Sequence, residues 1–197
     1  MGNPSLWQEQ RPGRGFAALS GAQRSDVCII GAGITGAACA WRLLEHGLSV
    51  AIVEVRETAA AASGRSGGFA VTGMSLELPA MVELLGETEA IRQHRATEAA
   101  LDEMIAMAEE LRIRGAIRRT GSLWLADAHE HDDLLETVRV AEAAAIRCRL
   151  APDMIPELMR QDDLLAAFFA EDAELMPAAW VRALAEASAD QIGRAHV

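Results

Sequence analysis

The residues of this chain best suited to chemistry are three glycines and one acid: Gly31-Ala32-Gly33-Ile34-Thr35-Gly36, and Glu54 downstream. Gly31 permits a tight turn. Gly33, with no Cβ, lets a pyrophosphate approach the backbone, and Gly36 lets a helix pack close to a strand. A helix opening at this point offers N–H groups without intrahelical partners and the positive end of its dipole. A carboxylate at Glu54 can accept hydrogen bonds from a ribose diol. A second cluster, Ser63-Gly64-Arg65-Ser66-Gly67-Gly68, has small residues for close backbone approach. It also has two hydroxyl donors, Ser63 and Ser66, and Arg65 as a cation for phosphate. By composition alone the same stretch reads as a flexible linker.

These residues need elements to hold them. Asp26-Val27-Cys28-Ile29-Ile30 reads as a strand. A helix follows over roughly Thr35 to His46, with Ala37, Ala40, Leu43 and Leu44 on one stripe and Gly47 as its stop. Ser49 to Glu54 reads as a second strand ending in the acid. A lone glycine motif also fits a turn in some other α/β domain. Placed between strand and helix, with the acid after it, the motif reads as dinucleotide-binding.

Ahead of this unit, Met1 to Ser25 is rich in Gly, Pro, Arg and Gln and reads as an extended arm, with Ser5-Leu6-Trp7 its only apolar anchor. A docked arm and an exposed tail are both compatible with it. After it, Leu76 to Arg114 has helical periodicity, with Gly86 separating two helices. Ile117 to Ala126 changes period. Ser122 to Ala126 reads as a strand partnered by Ile113 to Arg118, and Trp124 as a sheet-core or cavity residue. Asp127-Ala128-His129-Glu130-His131-Asp132-Asp133 suggests either a metal site or a solvated loop and first helical turn. The i, i+2 histidines do not share a helix face, so no metal is expected. A helix then runs to about Ala145. Cys148 to Leu150 reads as a short strand, Asp153 to Arg160 as a small helix after Pro152, and Leu164 to Ala170 as strand or helix. Pro177 opens a last helix through Ala189, with Val181, Leu184 and Ala185 on one face.

Composition bounds the rest. With 197 residues and 51% hydrophobic content, the chain can bury a sizeable core as one domain or two small ones. A net charge of −11 argues against a nucleic-acid partner, which needs a basic face. Cys28, Cys39 and Cys148 have no metal-ligand spacing and read as buried thiols in a reducing cytoplasm. No stretch has the length and apolarity of a transmembrane segment.

The glycine motif, Glu54 and Ala62-Ser63-Gly64-Arg65-Ser66-Gly67-Gly68 together resemble the D-amino-acid-oxidase-like FAD-dependent oxidoreductases, in particular the gamma-glutamylputrescine oxidoreductase-like branch. Ser5-Leu6-Trp7 and Arg119-Thr120-Gly121-Ser122-Leu123-Trp124-Leu125 resemble that branch too. Ser66 stands where the branch carries Asn. The resemblance covers nearly the whole chain and is strongest up to Gly68. It implies an α/β fold: an FAD/NAD(P)-binding Rossmann-like domain with the start of an α+β substrate domain, incomplete. The division would be an arm over 1–25, an FAD-binding part over 26–112, the start of the substrate domain over 113–176 and a helix returning to the FAD domain over 177–190. Gly31, Ala32, Gly33, Ile34, Thr35 and Gly36 would hold the FAD pyrophosphate and Glu54 the adenosine ribose. Ser63, Gly64, Arg65, Ser66, Gly67 and Gly68 would line the pyrophosphate and the flavin ring.

The implied reaction is oxidation of an amine or amino acid, with oxygen or another electron acceptor closing the cycle. No catalytic residue is identified. Two rival readings are a non-catalytic nucleotide-binding module and an NAD-dependent dehydrogenase. Glu54 would disfavour NADP over NAD, and the second glycine loop fits flavin better.

A doubly wound sheet of only two parallel strands leaves edges and apolar faces uncovered. Gln191-Ile192-Gly193-Arg194-Ala195-His196-Val197 resembles the translation of a common sequencing adapter. The chain therefore reads as an inactive N-terminal fragment from a truncated reading frame. Resequencing the locus should show different codons after Asp190; a natural gene that encodes residues 191–197 and then stops refutes this.

Overall fold

The computed structural model describes residues 3–10, 13–113, 115–161 and 163–195. Arg114, at the end of the expected helical stretch, and His196 and Val197 of the expected tail lie outside the described residues. In chain order the first elements are α1 (Leu6–Gln10), β1 (Val27–Ile30), α2 (Ile34–Glu45), β2 (Val50–Val53), β3 (Phe69–Ala70), α3 (Leu78–Leu85) and α4 (Glu87–Glu110). Then come β4 (Ile117–Arg119), β5 (Ser122–Ala126), α5 (His131–Ala143), β6 (Cys148–Leu150), β7 (Leu165–Phe169), β8 (Ala173–Leu175) and α6 (Pro177–Ala195). The chain folds as two compact units, each discontinuous in sequence. One comprises Met1–Gly68, Met107–Ile117 and Leu175–Val197; the other comprises Phe69–Ala106 and Arg118–Glu174.

The first unit is built on a parallel pair, with Val27 opposite Val50 and Ile30 opposite Val53. A parallel pair needs a crossover, and α2 supplies it. α2 stops as its sequence dictates: Gly47 adopts φ 76° and donates to the Leu44 carbonyl at 2.9 Å. α2 packs on α6. Ala37, Ala40 and Trp41 are buried on the first helix; Trp180, Val181, Leu184 and Ala185 are buried on the second. Small residues let the two backbones come close, and the two tryptophans fill what remains.

The second unit holds an antiparallel sheet in the order β5-β7-β6, with Ser122 opposite Phe169 and Ala126 opposite Leu165. α5 packs on β6 and β7, and α3 packs on α5. The core gathers Leu78, Ala126, Leu134, Val138, Ile146 and Ala167, with Trp124 and Phe169 packed against it. Gly86, at φ 80°, breaks the helical stretch between α3 and α4 as its residue type requires. A smaller sheet runs β3-β8-β4, with Phe69 opposite Glu174.

Three expectations are corrected. β5 does not pair with the segment before it: its partner is β7, and β4 lies beside β8 in the other sheet. The reason sits at Gly121, whose φ of 68° and N–H bond to the Asp172 carbonyl (2.8 Å) steer the chain from one sheet to the other instead of into a hairpin. Asp153 to Arg160 is not a single helix but two 3-10 turns, Pro152–Met154 and Glu157–Met159. Pro156, between them, has no N–H to continue the first. Of the cysteines only Cys148 is buried; Cys28 and Cys39 are exposed. Cys28 and Ile30 alternate outward on β1, and Ile30 is 89% exposed, so an apolar strand is not by itself a buried one.

Burial pushes the Cys148 thiol up to about 12. Since the thiolate is the nucleophile, Cys148 stays inert in the fold. A maleimide or disulfide reagent at neutral pH should label two thiols per native chain and the third only on unfolding. Three fast-reacting thiols in native buffer would contradict this packing.

Candidate functional site

β1 ends at Ile30, and Gly31 turns the chain with φ 102°, a conformation glycine adopts freely. Its N–H donates to the Val53 carbonyl at 2.8 Å, which ties the turn to the end of β2. A Cβ added to Gly31 would meet no atom within 4 Å, so the space beside the turn is open. Gly36 is the opposite case. A Cβ there would lie 2.0 Å from the Gly31 carbonyl oxygen and 3.3 Å from Ile29 Cγ2. Only glycine lets α2 lie this close to the turn that precedes it.

Gly33 precedes the first residue of α2 in extended conformation, and a Cβ on it would approach Ser63 Oγ at 3.0 Å. The Ser63 hydroxyl accepts the Ile34 N–H at 3.0 Å. A side chain of the second glycine cluster therefore caps the helix that the first cluster opens, across 29 residues of sequence. Thr35 is exposed and Ala32 buried.

Glu54 stands at the end of β2. Its carboxylate accepts the Ala32 N–H at 3.0 Å and the Arg56 N–H at 2.9 Å. The Ala32 bond first, then the Arg56 bond, holds its pKa below the usual glutamate value, so the group is ionised. A carboxylate has about four acceptor positions, so two remain for a diol.

In the second cluster Gly64 is buried, and a Cβ there would lie 2.0 Å from the Ala59 carbonyl oxygen. Gly68 has φ 81° and accepts the Leu175 N–H at 2.6 Å. Arg65, Ser66 and Gly67 are exposed. The Arg65 guanidinium donates to the Asn3 carbonyl at 3.0 Å, and the Ser66 carbonyl accepts the Trp7 indole N–H at 2.9 Å. Direct bonds and close backbone approach thus bring Gly31, Ala32, Gly33, Ile34, Gly36, Glu54 and Ser63 together, while Gly64, Arg65 and Ser66 are bound to the arm and Gly68 to the end of β8.

Sequence reasoning missed Gln8 and Arg182. Gln8 Nε2 donates to the Ala59 and Ala60 carbonyls at 3.0 and 3.1 Å. Arg182, buried on α6, donates to the Gln8 carbonyl at 3.0 Å and to the Thr58 carbonyl at 3.4 Å. The Ser5-x-x-Gln8 spacing, that of a capping box, was a legible signal for Gln8. Nothing local marks Arg182, whose partner lies 174 residues away.

The second unit has a cavity of about 200 Å³, lined by Trp124, His94, Asp172, Met81, Thr137 and Phe169 among others. Asp172 is buried and accepts the Thr72 N–H and hydroxyl at 2.7 and 2.8 Å and the Ser122 hydroxyl at 2.6 Å. Burial, the largest influence on His94, lowers its pKa and favours the neutral ring. The acid- and histidine-rich stretch is a loop and helix start: Asp127 Oδ1 accepts the His129 N–H at 2.9 Å, and His131 Nε2 lies 2.8 Å from the Asp163 carbonyl. Among the described residues no group of three or more His, Cys, Asp or Glu is placed to hold a metal ion, and no helix is long and apolar enough to cross a membrane.

The glycine-turn residues fit FAD. Open space lies beside Gly31, α2 begins directly after the turn, and Glu54 is ionised at the end of β2. Residues 26–196 match the model of a family described as FAD dependent oxidoreductase. A Haemophilus influenzae protein named "Probable oxidoreductase OrdL" is 29% identical over 121 residues, 61% of this chain and 28% of that protein. The gamma-glutamylputrescine oxidoreductase of Escherichia coli is 34% identical over 71 residues, 36% of this chain and 17% of that protein. The crystal structure of glycine oxidase from Geobacillus kaustophilus superposes with a TM-score of 0.70 at 24% identity, over 86% of this chain and 45% of that one. The chain thus spans less than a third of the curated relatives' lengths and under half of the solved structure.

Gly36→Ala should disrupt the turn without touching a ligand directly. The added methyl cannot coexist with the Gly31 carbonyl, so α2 must shift, at a cost of about 1–3 kcal/mol. A melting curve should show the loss, and FAD affinity should fall with it. A Gly36→Ala chain with unchanged midpoint and unchanged affinity would show that the close approach is dispensable.

Proposed function

We propose that this chain, which belongs to the family of FAD dependent oxidoreductases, supplies the FAD-holding part of an enzyme that oxidises the C–N bond of an amine or amino acid. The observation that carries the reading is the Ser63 hydroxyl on the Ile34 N–H. That bond joins the second glycine loop to the phosphate-binding end of α2, and a mononucleotide-sized turn needs no such extension.

In this reading Gly31 to Gly36 hold the pyrophosphate through backbone N–H groups and the positive end of α2. The local field is needed, because a chain of net charge −11 repels an anion at long range. Glu54 takes the adenosine ribose, and its charge disfavours a 2′-phosphate. Ser63, Gly64, Arg65, Ser66, Gly67 and Gly68 line the pyrophosphate and the ring. When bound, FAD supplies the hydride acceptor that turns the C–N bond into an imine, which water hydrolyses. Oxygen or another electron acceptor takes up the electrons, in a cytoplasmic setting. The relative named gamma-glutamylputrescine oxidoreductase supports an amine as substrate.

Titration separates this reading from its rivals. FAD should bind the chain with a change in flavin fluorescence, NAD should not compete, and Ser63→Ala should weaken FAD by about tenfold. NAD binding tighter than FAD would overturn the cofactor assignment. A screen of primary amines and amino acids, read as anaerobic bleaching of bound flavin, should be run on this chain and on any longer reading frame that resequencing reveals. This chain alone is expected to stay unbleached; a longer, FAD-loaded reading frame that nothing in the screen bleaches would leave a nucleotide-binding module and remove the oxidation.

A further inference from the structure

We infer that the N-terminal arm is a strut that shapes the second glycine loop for FAD, with Ser5, Trp7 and Gln8 as positioning residues. The inference rests on the cofactor reading above.

The arm begins with a capping box. Ser5 Oγ accepts the Gln8 N–H at 3.3 Å, and Gln8 Oε1 accepts the Ser5 N–H at 2.9 Å. This reciprocal pair leaves one hydroxyl hydrogen on Ser5 and two amide hydrogens on Gln8. All three go to one place. The Ser5 hydroxyl donates to the Gly64 carbonyl, and Gln8 Nε2 donates to the Ala59 and Ala60 carbonyls. The Trp7 indole adds a fourth donor, to the Ser66 carbonyl at 2.9 Å. A helix of five residues is far too short to be stable alone. It exists because it is docked.

The direction of these bonds gives them their use. Every one takes a carbonyl of the segment 59–66. In a trans peptide the C=O and the following N–H point to opposite sides. Drawing the Ala60 and Ser66 carbonyls toward the arm therefore turns the N–H groups of Ala61 and Gly67 away from it. The N–H groups after the Ala59 and Gly64 carbonyls are held instead by the Glu57 and Ala62 carbonyls, so Ala61 and Gly67 are the donors the arm turns. The arm imposes this orientation from behind, and the ligand face stays clear.

The arm adds to the crowding at two glycines of the loop, which also lie against the Ala59 and Leu175 carbonyls. A Cβ on Gly64 would lie 2.9 Å from Gln8 Nε2 as well as against Ala59, and a Cβ on Gly68 would lie 3.0 Å from Trp7 Cζ2. Both glycines make room for the strut. Arg182 completes it from α6, donating to the carbonyls of Gln8 and Thr58, one on each side of the junction.

The test is FAD affinity with the visible circular dichroism of bound flavin, measured beside a thermal midpoint for each variant of the 197-residue chain. Trp7→Phe keeps an aromatic ring on the arm and removes both the donor to Ser66 and the outer edge of the indole that meets Gly68. Gln8→Glu keeps the capping-box acceptor and sets a carboxylate against two carbonyls. Arg14→Ala breaks the exposed contact of the arm with Asp190, remote from the loop. Trp7→Phe should weaken FAD about tenfold and Gln8→Glu more, both with an altered flavin spectrum, and Arg14→Ala should stay within about twofold.

Variants that melt earlier yet bind FAD as the unmutated chain does would overturn the strut and leave the cofactor reading standing. Equal weakening by Arg14→Ala would also overturn it, since any loosening of the arm would then suffice. If Gln8→Glu does not fold, Trp7→Phe decides alone. An unmutated chain that binds no FAD overturns the cofactor reading and the strut with it.

Discussion

Everything in the first unit depends on how closely α2 approaches the turn that precedes it. A single methyl at Gly36 would stand 2.0 Å from the Gly31 carbonyl oxygen, so the backbone itself is the packing surface. That contact sets where α2 starts. Its start sets where its first N–H groups point, and the first of them, on Ile34, meets the Ser63 hydroxyl. The Gly31 N–H on Val53 and the Glu54 carboxylate on Ala32 then fix the turn to β2. A turn made of backbone has no side chain to adjust, so its geometry must come from packing done in advance.

The second unit solves a different problem with a buried charge. Asp172 accepts three hydrogen bonds, from Thr72 and Ser122, and its own carbonyl accepts the Gly121 N–H. An unpaired carboxylate here would be costly. With three donors it instead pins the segment after β3, the start of β5 and the chain before β8 to one point. Neighbouring Glu171 is shared by Arg119 and Arg147. Polar bonds join the segments of this region, and the apolar cluster around Leu134 uses other side chains.

What could be read from the sequence was whatever repeats locally. The 3.6-residue stripe along α2 and α6, the helix break at Gly86 and the Pro177 opening of α6 each follow from residues a few positions apart. The glycine motif belongs to this class, since its spacing contains its own turn, helix start and strand. Long-range pairing does not. β5 meets β7 some forty residues on, and no local signal distinguishes that partner from the nearer β4. The same holds for His94, Asp172 and Arg182, whose buried positions come from segments far apart in the chain. Cys28 shows the limit from the other side: an apolar run was legible, and which of its alternating faces would be covered was not.

Glycine composition misleads most where it looks most informative. Both clusters read as ligand-facing, and the second reads by composition as a flexible linker. In the structure their glycines divide by what a side chain would strike. At Gly31 it would strike nothing, and the space beside it is open. At Gly36 and Gly64 it would strike carbonyl oxygens of the chain itself, and at Gly68 it would strike the Leu175 carbonyl and the Trp7 ring. The latter three are glycine because the protein is already there. A loop held this way is not a linker: its carbonyls are claimed by Ser5, Trp7 and Gln8, and its flexibility is spent before any cofactor arrives. Rigidity supplied in advance lowers the entropy lost on binding, which is how a surface of small, weakly interacting residues can hold a large ligand in one orientation.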